Sequence, residues 1–108
     1  MWIFTKWGFL SIVQHNTIPG YFQVKARVID PLEHLWPQHE IEVIHWADYR
    51  FRITIDKENV FDKLSKEILD IDYTSFKNEC YVDHDYHDAL IGVWNTMYNY
   101  QLKMERKK

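Results

Sequence analysis

Lys25, Arg27, Arg50 and Arg52 stand at alternate positions within two β-rich stretches, Tyr21–Val28 and Arg50–Ile55. A period of two puts Phe22, Val24, Ala26 and Val28 on one face of the first stretch, and Gln23, Lys25 and Arg27 on the other. In the second, Phe51, Ile53 and Ile55 point inward while Arg50, Arg52 and Thr54 point outward. Tyr21, Gln23 and Thr54 share the basic face. Four cations on one face repel one another unless acids match them or an anion meets them. Small sheet domains hold single-stranded nucleic acid in this way, pairing phosphates and stacking bases on aromatics. The plainer reading is a solvated face, or salt bridges to Glu42 and to the acidic stretch 56–88.

A second constellation is Asp83-His84-Asp85-Tyr86-His87-Asp88. On a helix His84, His87 and Asp88 share a face, and two imidazoles with a carboxylate can ligate zinc or a similar ion. Against this, acids before a helix also serve as N-caps and complement its dipole. Nucleophilic chemistry has less support. Cys80 lies between Glu79 and Tyr81, where neighbouring acid raises a thiol's pKa rather than activating it. Ser11 and Ser65 lack an elbow motif, and the three glycines are isolated, so no phosphate-cradling loop is present. Asp70 and Asp72 could do acid–base work, but they read better as helix-end and turn residues.

The elements that must position these groups follow from the same patterns. Phe9–Gln14 reads as a strand pairing with 21–29 across a turn at Asn16–Gly20, and Ile41–Trp46 as a weaker fourth strand. Asp30-Pro31 announces a short helix to Trp36 with Asp30 as N-cap, and Asp56 caps a helix over Lys57–Asp70 with Val60, Phe61, Leu64 and Ile68 on one stripe. A last helix from Asp83–Asp85 is expected to bury Ala89, Leu90, Val93, Trp94, Met97 and Tyr98. The expected fold is one α+β domain over 1–108: a four-stranded antiparallel sheet with helices on one face, in the order ββαββαα. Its middle is partly ferredoxin-like.

Several longer motifs run through the chain: Met1-Trp2-Ile3, Thr5, Gly8-Phe9 and Ser11-Ile12-Val13; Val24 to Val28; Ala47-Asp48-Tyr49-Arg50-Phe51-Arg52; Ile71-Asp72-Tyr73 with Phe76-Lys77; and Val93-Trp94 with Met97-Tyr98 and Gln101. In this order and spacing they resemble a family of small uncharacterised bacterial proteins, with His84, ten residues before Trp94, as part of the pattern. The resemblance implies no activity, cofactor or substrate. Asp48 is expected to turn the chain and pair with Arg50 or Arg52, and Tyr73 and Phe76 to pack under the final helix.

The chain has 108 residues, 46% of them hydrophobic and 17% aromatic, which excludes a disordered segment. The net charge of −3 hides segregation: residues 56–88 carry ten acids against four lysines, and residues 89–108 one acid against four bases. Overall acidity argues against a tight, nonspecific nucleic-acid binder. The apolar opening is interrupted by Lys6, is too short to span a bilayer and lacks a leader's features; with a lone cysteine, this suggests the cytoplasm. Five tryptophans exceed what a small core holds, so an aromatic N-terminal edge strand pairing with a second copy is expected to give a homodimer. The favoured function is a non-enzymatic domain without cofactor, meeting an anionic partner such as nucleic acid through Lys25, Arg27, Arg50 and Arg52. The alternatives are an acidic inhibitor or immunity-type protein that blocks a partner enzyme, and a metal-dependent enzyme built on His84, His87 and Asp88.

Overall fold

The computed structural model describes residues 1–107, which run β1 (Trp2–Thr5), β2 (Gly8–Gln14), β3 (Tyr21–Ala26), α1 (Asp30–Leu35), β4 (Glu42–Val43), β5 (Phe51–Asp56), α2 (Lys57–Leu69), α3 (Phe76–Glu79) and α4 (His84–Arg106). The chain forms two compact units, Met1–Asp72 and Tyr73–Lys108.

In the first unit five strands form one antiparallel sheet in the order β1-β2-β3-β5-β4. The α+β class is as expected, but the sheet has five strands rather than four. The additional strand is β1. Its residues are apolar in both phases, so alternation does not reveal it; a two-residue hairpin at Lys6-Trp7 does. Thr5 builds that turn. Its Oγ1 accepts from the backbone N–H of Trp7 and of Gly8, both at 3.1 Å, and donates to the Gly8 carbonyl at 2.8 Å. Gly8, at φ +151°, lies against the Pro31 ring, where a Cβ would come within 2.8 Å of Pro31 Cγ. The expected turn between β2 and β3 forms around His15, whose Nδ1 accepts the amides of Thr17 and Ile18 at 3.1 Å.

From β3 the chain crosses through α1 to β4, parallel to β3, and β5 inserts between them: a split β-α-β crossover. The expected strand over 41–46 shrinks to Glu42–Val43, because the backbone turns at Ile44, where the Ala47 amide donates to the Ile44 carbonyl. In α1 the N-cap is Ile29 rather than Asp30, and no side chain caps the helix; Pro31 still suits the first turn, where its missing N–H has no helical acceptor to lose. In α2 Asp56 is the N-cap, accepting from the Asn59 amide at 3.1 Å.

One sheet face (Leu10, Ile12, Val24, Ala26, Ile53 and Ile55) packs against Leu32, Leu35 and Trp36 around α1 and against Val60 and Leu64 of α2. Of the stripe expected on α2, Val60 and Leu64 are buried while Phe61 and Ile68 are exposed. Two of the four apolar positions suffice because the contacting sector is narrower than the apolar one.

The second unit holds α3, capped by Ser75, and α4, capped by Asp83. Cys80 and Leu90 are its buried hydrophobics. The expected burial of Ala89, Val93, Trp94, Met97 and Tyr98 does not occur: Val93 is half-buried and the others are exposed. Helical spacing marks a face as apolar without saying what covers it.

Candidate anion-binding face

The face of the sheet opposite the core is assembled by register. Trp2 lies across from Ser11, Ser11 from Lys25, Lys25 from Arg52, and Arg52 from Glu42. One row therefore crosses all five strands, with an indole at one end, two adjacent cations in the middle and a carboxylate at the far edge. Beside it runs a row of Val13, Gln23 and Thr54. On the other side Phe4 stacks on Phe9 (4.7 Å between centroids), and Trp2 meets Phe9 edge-on at 5.7 Å. Tyr49, from the segment before β5, covers that end of the face, with its ring 6.4 Å from Phe9 and beneath the Arg27 guanidinium at 4.3 Å.

The four cations differ in their surroundings. Arg27 forms the one salt bridge among the described residues, Nη1 to Asp48 Oδ1 at 3.0 Å, so Asp48 pairs with Arg27 rather than with Arg50 or Arg52. The pairing follows from the turn at 44–50, which carries Asp48 and Tyr49 over the end of β3. The hydrogen bond it donates to Asp48 raises the Arg27 pKa further, so Arg27 stays charged yet matched. Arg52 Nη2 donates to the Tyr49 carbonyl at 2.9 Å, while its Nε is buried without an acceptor. Arg50 is exposed just ahead of β5. Lys25, half-buried, lies directly opposite Arg52, and like charges in that position destabilise a sheet. Neither makes an ion pair to Glu42 within 4.0 Å, nor to the acids of 56–88.

The aromatic half of this face escaped sequence reasoning. Trp2, Phe4, Phe9 and Tyr49 reach it only through the β1–β2 hairpin and the 44–50 turn. Its signal was the common phase of Trp2 and Phe4 and of Phe9 and Ser11, which becomes readable once the hairpin at Lys6-Trp7 is placed.

His84 and His87 both rest edge-on against the Tyr81 ring, at 5.1 and 5.3 Å, and Asp88 is exposed. Among the described residues no group of three or more His, Cys, Asp or Glu side chains is gathered as metal ligands would be. Cys80 is buried, and burial, with Glu79 and Asp83 nearby, pushes its thiol pKa up. A cavity of about 700 Å³ between the end of α1 and α2 is bordered by His39, Asp62, Lys63 and Lys66. Its mixed signs select no ligand charge. On α2 the acids Glu58, Asp62 and Glu67 are interspersed with Lys57, Lys63 and Lys66, so the acidic stretch carries both signs there. No helix among the described residues is long and apolar enough to cross a membrane. No family model, no curated protein and no solved structure matches this chain.

Proposed function

We propose that the protein is a non-enzymatic binding module whose outer sheet face takes a single-stranded nucleic acid. The observation that carries this reading is the row Trp2–Ser11–Lys25–Arg52, flanked by Phe4, Phe9 and Tyr49. Two adjacent cations without a carboxylate partner are stabilised by a phosphate, and the indole at the end of the row, 69% exposed, offers a π-face for a base. The split crossover supports a partly ferredoxin-like centre to this unit, and the lone cysteine supports a reducing, cytoplasmic setting.

The test is fluorescence anisotropy of labelled single-stranded DNA and RNA homopolymers across a sodium chloride series. Three phosphate contacts, from Lys25, Arg50 and Arg52, give a slope of log K against log salt of about −2. Trp2→Ala weakens binding by about tenfold, the worth of one stacked base. The Lys25→Ala, Arg52→Ala pair flattens the salt slope by more than half, whereas Arg27→Ala changes it little because Asp48 already occupies that guanidinium. No binding at low salt, or binding indifferent to Lys25 and Arg52, overturns the proposal.

A further inference from the structure

The two edges of the sheet are built differently. At one, β4 is two residues long and carries Glu42, and a charged, very short strand discourages pairing with a further chain. At the other, β1 carries no charge and no proline, and its register with β2 is uninterrupted. The Ile12 amide donates to the Met1 carbonyl at 2.8 Å and the Met1 amino nitrogen to the Ile12 carbonyl at 2.7 Å, which sets the phase of the ladder. Alternation from that pair makes Ile3–Leu10 and Thr5–Gly8 the hydrogen-bonded pairs, so the N–H and C=O groups of Trp2 and Phe4 point away from β2. Among the described residues every strand already lies in this sheet and the second unit is helical, so no strand of the same chain remains to pair with them.

A second copy of β1 fits this edge. The outward-facing residues Trp2 and Phe4 flank Ile3, so an antiparallel copy turned about a two-fold axis at Ile3 sets Trp2 opposite the partner's Phe4 and Phe4 opposite the partner's Trp2. Each of those pairings exchanges both main-chain bonds, whereas an axis at Trp2 or at Phe4 makes only one such pairing within the strand. Like charges meet across a two-fold axis, and β1 has none to meet. The nearest, Lys6, lies 5.1 Å over the Trp7 ring at the hairpin end, and the antiparallel arrangement sends the two Lys6 residues to opposite ends. Self-pairing at β4 would instead bring Glu42 towards its own copy. The side chains match as well. Ile3 meets the partner's Ile3 on the core side of the sheet, and Trp2 meets the partner's Phe4 on the outer side as an aromatic cross-strand pair. We propose that the protein is a homodimer joined edge to edge through β1, with one antiparallel sheet running through both copies and its two-fold axis at Ile3. The outer face then carries one continuous aromatic strip, Trp2, Phe4 and Phe9 of each copy, with Lys25 and Arg52 of each copy beyond it on either side.

The pairing needs no ligand, so sedimentation equilibrium of the full chain, free of nucleic acid and at micromolar concentration, tests it apart from the nucleic-acid reading. The expected species has twice the 13.3 kDa chain mass. Trp2→Pro removes an N–H that faces the partner and not β2, so the far-UV circular dichroism stays that of the wild type while the dissociation constant rises at least about tenfold. Register is read by cross-linking in a Cys80→Ser background. Ile3→Cys places two thiols at a non-hydrogen-bonded pair, with Cα atoms about 4.5 Å apart, and diamide joins them in a disulfide. Trp2→Cys places them diagonally, roughly 7–8 Å apart, and gives no disulfide. A monomeric wild type overturns the proposal. So does a dimer that Trp2→Pro leaves unweakened, as one joined through α4 would be, or an Ile3→Cys chain that does not cross-link.

Discussion

Asp56 shows how much one carboxylate can organise. It ends β5, caps α2 and lies across from Tyr21 in the sheet. The Asn59 amide, donating to it at 3.1 Å, stabilises the ionised form and lowers its pKa below the ordinary 3.8. A group whose folded pKa is depressed contributes stability that is present above its unfolded pKa and lost as pH falls through the folded one. The melting temperature should therefore drop on acidification below about pH 4, partly through this cap. Asp56→Asn keeps an acceptor for the Asn59 amide but has no proton to take up, so thermal melts between pH 2 and 6 should show a shallower acid slope than wild type. Cys80 shows the opposite influence. Burial, with Glu79 and Asp83 nearby, raises its thiol pKa and so disfavours the thiolate. The cap was legible in the sequence, since it is set by residues three apart; at Cys80 the sequence offered only the neighbouring acid, and burial, the larger cause, came from the fold.

Among the elements, the β1–β2 hairpin has the least local tolerance. Gly8 has a backbone conformation that L side chains rarely adopt, and it touches the Pro31 ring of α1, so the turn and the helix hold each other in place. Gly8→Ala should cost about 2–4 kcal/mol by urea unfolding, from backbone strain and the clash together. Gly20, at φ +79° with open space where a Cβ would go, makes a control that separates strain from clash. Its alanine variant should cost only about 1 kcal/mol. Equal costs would show that contact with Pro31 carries no weight. The strands at 21–26 and 51–56 were legible because polar and apolar residues alternate there. β1 was not, because Trp2, Ile3 and Phe4 are apolar on both faces: Ile3 packs against the core while Trp2 and Phe4 lie on the opposite side.

At the scale of the whole molecule, stability rests on the sheet face that packs beneath α1 and α2. Ile53, 1% exposed at the centre of that core, should cost about 2–5 kcal/mol when cut to alanine. Phe61, apolar and on the same expected stripe of α2 but exposed, should cost less than about 1 kcal/mol. Denaturant melts of the two variants would check the division between buried and bare apolar residues. Alternation and caps are properties of a few adjacent residues, so the α+β class, the strand phases carrying Lys25, Arg27, Arg50 and Arg52, and the starts of α2 and α4 could be read from the chain alone. Tertiary structure decided which cations stay unmatched, which aromatics lie beside them and which apolar stripes are covered. Arg27 meets Asp48 only because the 44–50 turn folds over the end of β3, and Trp2 reaches the row of Lys25 and Arg52 only through two strand registers. Contacts of that kind join residues distant in the chain, and side-chain periodicity carries no information about which distant face will meet which.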